Sequence, residues 1–233
     1  MKQDASSSFK ETLKAIAQGR ERTNLLRRQE QRTIAYIVQR IPGWVSSDML
    51  TAIGFLGNVI VALSFVLGTQ VNRYCLLIGL IGFFVSWFGD SLDGRLAYYR
   101  NSPRKWYGFC LDLVVDWLGI ILMGLGATLY LDVSARLLGY TVVVLYGLEM
   151  ILALLRYKVS GQYSIDAGVL GPTEARIIIS IILVLEVLFP GVIVYMLWAA
   201  TVVLLLSNLL EFRKVLRMAD VCDAKERAHS EKR

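Results

Sequence analysis

Residues 49–71 read MLTAIGFLGNVIVALSFVLGTQV and carry no charge; residues 74–89 read YCLLIGLIGFFVSWFG and carry none either. A helix rises ~1.5 Å per residue, so crossing a ~30 Å hydrocarbon layer takes ~20 apolar residues. The first run alone meets that length. Further uncharged runs extend from Ile177 to Leu185 and from Val187 to Leu210. Working outward from these runs, the chain predicts six spans, roughly 48–70, 74–97, 106–131, 135–157, 173–189 and 191–212. The fifth is short for a full crossing. The expected fold class is therefore an all-α integral membrane protein with six transmembrane helices. A soluble helical bundle is the alternative, but it would have to hide nearly every face of every helix.

Composition agrees. Of 233 residues, 55% are hydrophobic and 19% charged, with a mean hydropathy of +0.53, too apolar for an ordinary soluble domain. The charges that remain are sorted by side. The segment before the first span carries nine lysines and arginines, the connection after the second carries four, that after the fourth two, and the C-terminal tail seven. Arg73 and Arg136 alone fall in the opposite connections. Basic loops stay on the cytoplasmic side, so both termini are expected there, with the bacterial inner membrane as the expected location. The N-terminus is polar to about Thr33, with no early apolar stretch. The first span is thus expected to direct its own insertion. The pI of about 9.3 reads as basic juxtamembrane segments meeting anionic headgroups rather than as a nucleic-acid surface. Cys75, Cys110 and Cys222 form no spaced pair, so neither a disulfide framework nor a zinc site is expected.

Three regions follow: a cytoplasmic tail and interfacial helix over 1–45, a six-helix catalytic domain over 46–212, and a charged cytoplasmic tail over 213–233. In the first, Leu25, Leu26, Ile34, Ile37, Val38 and Ile41 share an apolar side with arginines opposite. This predicts an amphipathic juxtamembrane helix lying in the interface plane. Pro42-Gly43 ends it, and Ser47 or Asp48 is expected to cap the first span. His229, the single histidine, lies in the tail and is not expected to act in chemistry.

The second span ends Gly89-Asp90-Ser91-Leu92-Asp93-Gly94-Arg95-Leu96-Ala97, and the third begins Gly108-Phe109-Cys110-Leu111-Asp112-Leu113-Val114-Val115-Asp116. Positions three or four apart share a helical face, so Asp90 pairs with Asp93, and Gly108, Asp112 and Asp116 form one stripe. A short hairpin makes the two helices antiparallel neighbours, and four carboxylates converge. Each carboxylate in a membrane segment costs ~2.5–3.5 kcal/mol on insertion scales, and four repel one another. Taken singly, Asp90 or Asp93 reads as a solvated helix-end residue. Asp116 does not, because it lies ~12 Å along the helix from Gly108. Hard divalent cations satisfy clustered carboxylate oxygens and can clamp a phosphate. Gly94 and Gly108 leave room for a bulky nucleotide beside the backbone. The constellation reads as a metal-phosphate site at the cytoplasmic face.

The order Asp-x2-Asp-Gly-x2-Ala followed by Gly-x3-Asp-x3-Asp resembles the signature of the CDP-alcohol phosphotransferases (CDP-alcohol phosphatidyltransferases), through Asp90, Asp93, Gly94, Ala97, Gly108, Asp112 and Asp116. The family pattern has Arg directly after the Ala; here Tyr98 stands there and Arg100 follows two residues later, in a slightly longer loop. Either Arg100 takes over that position or its role is lost. The resemblance implies a six-helix homodimer using Mg²⁺ or Mn²⁺, two ions per site. It implies that Asp90, Asp93 and Asp112 bind metal and the CDP diphosphate, with Gly94, Ala97, Gly108 and Arg100 around the nucleotide. Asp116 is implied as a metal ligand and the general base. The activity implied is phospholipid synthesis, moving a substituted phosphate onto an alcohol with release of CMP.

On the acceptor side, Glu149 and Arg156 share a face of the fourth span, and Gly171-Pro172-Thr173-Glu174-Ala175-Arg176 leads into the fifth. Arg156 and Arg176 together suit an anionic acceptor, since guanidinium fits phosphate. Glu149 or Glu174 suits an ammonium group instead. The alternatives are therefore CDP-diacylglycerol with a polar alcohol, or a CDP-aminoalcohol with diacylglycerol as acceptor. A membrane prenyltransferase is a further enzyme alternative, but its two Asp-rich motifs are well separated, whereas here the acids occupy one hairpin. A channel using acids as a cation path would spread them through the bilayer depth.

Overall fold

A computed structural model describes residues 27–160 and 172–230. The tail over 1–26, with Leu25 and Leu26, Gly171 before the fifth span, and the last residues over 231–233 lie outside the described residues, as does the His229 side chain. All regular structure among the described residues is helical: α1 (Arg27–Val38), α2 (Ser47–Gln70), α3 (Ile78–Tyr99), α4 (Lys105–Tyr130), α5 (Arg136–Ser160), α6 (Pro172–Leu188) and α7 (Val192–Ser230). Short 3₁₀ turns at Arg73–Leu77 and Val133–Ala135 lead into α3 and α5.

Five of these segments are long and apolar enough to cross a membrane: Ser47–Gln70, Arg73–Tyr99, Lys105–Tyr130, Val133–Ser160 and Val192–Arg227. The chain is an integral membrane protein. The expected fifth span, α6, has 17 residues, about 25 Å at 1.5 Å per residue, which is short of the hydrocarbon layer. The last helix runs the other way, continuing through most of the expected tail to Ser230. No Gly or Pro interrupts Val192–Ser230, so nothing in the backbone stops it.

Polar residues at helix ends explain where the spans begin and stop. The α2 cap is Ser46, one residue earlier than expected, its hydroxyl accepting from the Met49 amide at 3.2 Å. Asp48 sits in the first turn instead and pairs with Arg104 across the bundle end. Between α6 and α7, Gly191 turns the chain with φ of 97°, a conformation other residues rarely take. Buried Glu186 anchors that corner. Its carboxylate accepts from the Tyr130 hydroxyl at 3.0 Å and from the Gly191 and Ile193 amides, the latter at 2.8 Å. An acid at a helix N-terminus both caps it and opposes its dipole.

The most intimate contact is between α2 and α3, with α4 against the other side of α2 and α5 against α7. A Cβ on Gly57 would lie 2.3 Å from the Ser86 amide nitrogen, and one on Gly89 would lie 2.2 Å from that of Gly54. The two backbones touch, as small residues permit in membrane helices. That contact sets the depth at which Asp90, next to Gly89, meets α2.

Two apolar clusters bracket this level. One joins Val61, Phe65, Leu76, Phe83, Leu131, Leu183, Val187 and Ile193. The other joins Ile34, Ala35 and Val38 of α1 to Leu50, Leu92 and Leu96. In the second, α1 lays its apolar face over the ends of α2 and α3. Outward faces carry exposed side chains such as Leu56, Leu63, Phe84, Leu125 and Leu137, a surface suited to lipid and not to water.

Candidate active site

Between the clusters lies a small cavity lined by Thr51, Gly54, Phe55, Asn58, Ser86, Asp90, Asp93, Asp112, Val115 and Asp116. Asp90 comes from α3, Asp112 and Asp116 from successive turns of α4. One carboxylate oxygen from each of these three lies within 4.8 Å of the other two. The antiparallel hairpin thus brings three of the four expected carboxylates within this range.

Asp93 lines the same cavity one turn along α3, but its oxygens face protein donors. The Thr51 hydroxyl donates to Oδ2 at 2.8 Å, and the Gly94 amide donates to Oδ1. Both side chains are buried. Thr51 therefore fixes the orientation of this carboxylate from α2.

One positive group enters the acidic cluster. Arg176, from the first turns of α6, places Nη2 2.9 Å from Asp90 Oδ2, while its buried Nη1 has no hydrogen-bond partner among the described residues. Four acids thus gather around one guanidinium in a low-dielectric setting, where like charges repel strongly. The donor set suits a hard cation: all oxygen, from three residues, within 4.8 Å. On an octahedral Mg²⁺ at 2.0–2.1 Å, neighbouring oxygens lie about 2.9 Å apart and opposite ones about 4.2 Å, so the side chains would draw inward around a bound ion.

The residues flanking the acids are open. A Cβ on Gly94 or Gly108 would meet nothing within 4 Å, and both positions are exposed. Ala97 and Tyr98 are half-buried on the following turn. Arg100 faces the α1–α2 linker: its Nη2 donates to the Pro42 carbonyl at 2.9 Å, and Nη1 donates to the Val45 carbonyl. The guanidinium clamps the linker's backbone to the end of α3.

The other acceptor-side residues have varied surroundings. Arg156 pairs with Glu211 of α7 at 3.2 Å, and Glu149 accepts from Ser207 at 3.3 Å, so both lie in the α5–α7 seam. Glu174 is buried in the first turn of α6.

Thr51, Asn58 and Ser86 belong to the site without having been singled out from the sequence. The signal was present. Thr51, Gly54 and Asn58 stand at i, i+3 and i+7, a polar and small stripe on an otherwise apolar helix, and Asn58 lies mid-span. A Cβ on Gly119 would lie 2.2 Å from Asn58 Nδ2, which places Asn58 against α4 one turn beyond Asp116.

With this geometry in view, the sequence model of the CDP-alcohol phosphatidyltransferase family matches residues 44–206, from the linker before α2 into α7. The chain belongs to that family, a family of transferases in lipid biosynthesis. No curated protein matches the chain.

Proposed function

We propose that the protein is a metal-dependent transferase that moves the phosphatidyl group of CDP-diacylglycerol onto an alcohol hydroxyl and releases CMP. The observation that carries this reading is the meeting of Asp90, Asp112 and Asp116 within 4.8 Å, on the two helices that bear the family motif. Asp90, Asp93, Asp112 and Asp116 would hold Mg²⁺ or Mn²⁺, as two ions. Such ions would supply positive charge to the diphosphate oxygens. The open space beside Gly94 and Gly108 receives the nucleotide, with Ala97 on the same flank.

Asp116 takes the proton of the acceptor hydroxyl, since an alcohol is a weak nucleophile until a base removes that proton. The new oxygen–phosphorus bond forms, the bond to the CMP oxygen breaks, and CMP leaves as the anion. Arg176, with one guanidinium nitrogen unsatisfied beside the acids, receives an anionic group of the acceptor. A second reading rests on Glu174, buried on the same turn of α6. If that acid serves an ammonium group, the donor is a CDP-aminoalcohol and the acceptor diacylglycerol.

The catalytic domain covers 46–212, with α6 as a sixth, short span, both termini cytoplasmic, and a homodimer in a bacterial inner membrane. Arg100 organises the nucleotide side through the linker it holds. Mn²⁺ titration followed by electron paramagnetic resonance tests the site directly. Saturable binding that is lost in Asp112→Asn supports the reading, and equal binding in that variant overturns the metal assignment.

A further inference from the structure

Glu30 is an acid on the wrong face of its helix. It stands one and two turns before Ile34 and Val38, on the stripe that α1 buries, and it is only 6% exposed. A buried carboxylate is expensive unless it is partnered. Glu30 has partners on two other helices. The hydroxyls of Ser91 on α3 and Thr173 on α6 each donate to its Oε1 at 3.4 Å, and Arg95 Nη2 lies 3.8 Å from the same oxygen.

The positions of these partners give the contacts meaning. Ser91 directly follows Asp90, and Thr173 lies three residues before Arg176, on the same face of α6. The Asp90–Arg176 pair and the Glu30 contacts are therefore two parallel ties between the aspartate turn of α3 and the first turn of α6. They are not equivalent. Asp90 belongs to the acidic cluster, so its oxygens serve both Arg176 and a cation. Glu30 stands outside that cluster, and its tie does not loosen when Asp90 turns to a cation.

We propose that Glu30 is a positioning residue: from the amphipathic helix, it holds the first turn of α6, with Arg176, against Asp90 while the cluster works. This rests on the transferase reading above. The helix α1 is then part of the working site as well as a surface element.

The test is a double-mutant cycle on CMP release with Glu30→Ala, Thr173→Val and the pair, together with Glu30→Gln. Glu30→Ala and Thr173→Val should each lower kcat by about tenfold to a hundredfold, the scale set by misplacing a reacting group by an ångström. The KM for the CDP donor should stay within about twofold, because Asp90, Asp93 and Asp112 keep their places on the packed α3–α4 hairpin while α6 shifts, and the pair should lose no more than the worse single variant. Glu30→Gln keeps an accepting oxygen for both hydroxyls and should retain kcat within about threefold. Additive losses overturn the proposal, as does a Glu30→Gln variant that folds but is as slow as Glu30→Ala.

A second readout needs no turnover. Nitroxides at Tyr36→Cys and Ala175→Cys, both exposed sites, report the α1–α6 distance in a background without Cys75, Cys110 and Cys222. A single narrow distribution should broaden with Glu30→Ala and not with Glu30→Gln; an unchanged distribution in Glu30→Ala overturns the proposal. If the unmodified protein releases no CMP from any donor, the transferase reading fails, and this distance measurement still decides whether Glu30 holds α6.

Discussion

Arg176 and Asp90 form an ion pair at 2.9 Å, which joins α6 to the first acid of the motif across the most highly charged part of the membrane domain. The pair holds part of the cluster's negative charge in check. In the proposed metal site a cation would hold more of it, so the effect of removing Arg176 should depend on whether metal is present.

Truncating one partner of a buried pair costs ~3–5 kcal/mol, and the Arg176 side chain is only 17% exposed. Arg176→Ala purified in EDTA is expected to melt roughly 6–20 °C lower than the parent in the same detergent. Mg²⁺ should recover a large part of that loss, because the cation replaces the missing positive charge. Differential scanning fluorimetry with and without Mg²⁺ measures both values. A drop that Mg²⁺ does not change would show that the acids are not a cation site.

Asp116→Asn removes the base and keeps the size of the side chain. CMP release is expected to fall by about 10²–10⁴, the usual contribution of a general base. Asp116 also belongs to the metal cluster, so affinity for CDP should weaken too, but by far less than turnover, since Asp90, Asp93 and Asp112 remain. Calorimetric titration with CDP alongside the rate assay separates the two effects. Substantial remaining turnover removes Asp116 from its role.

Thr51→Val is close to isosteric but deletes the 2.8 Å hydrogen bond to Asp93. A buried group left unsatisfied costs ~1–3 kcal/mol. Turnover is expected to fall about tenfold as Asp93 reorients, with protein yield nearly unchanged. Parent-like turnover would mean that Asp93 needs no support from α2.

Gly57→Val tests the helix contact beneath the site. The new Cβ would stand 2.3 Å from a backbone nitrogen of α3, an atom that cannot rotate away. Overpacking of this kind costs ~1–3 kcal/mol or more, so monodisperse protein should be scarce and Mn²⁺ binding weakened. Gly43→Ala, where a Cβ meets nothing within 4 Å, should behave as the parent.

Much of this was legible before any coordinates. Charge-free runs marked five of the six expected spans because a bilayer tolerates few charges, and the spacing of the acids brought Asp90, Asp112 and Asp116 together because the hairpin is short. Less legible were the features set by contacts between distant parts of the chain. Glu30 meets Ser91 and Thr173 only where α1 lies over α3, and Arg100 meets the linker carbonyls only where that linker passes the end of α3. The run of α7 to Ser230 is readable in principle from the missing Gly and Pro, but its polar end resembles a tail in composition.

The most direct measurement is CMP release by the purified protein with CDP-diacylglycerol, Mg²⁺ or Mn²⁺ and a pool of alcohols, before and after EDTA. Expected is release that requires one alcohol, stops with EDTA and returns with added metal. Release from CDP-choline or CDP-ethanolamine plus diacylglycerol instead would reverse the donor assignment; release that persists in EDTA, or none from either donor class, would contradict a metal-dependent transferase built on Asp90, Asp112 and Asp116.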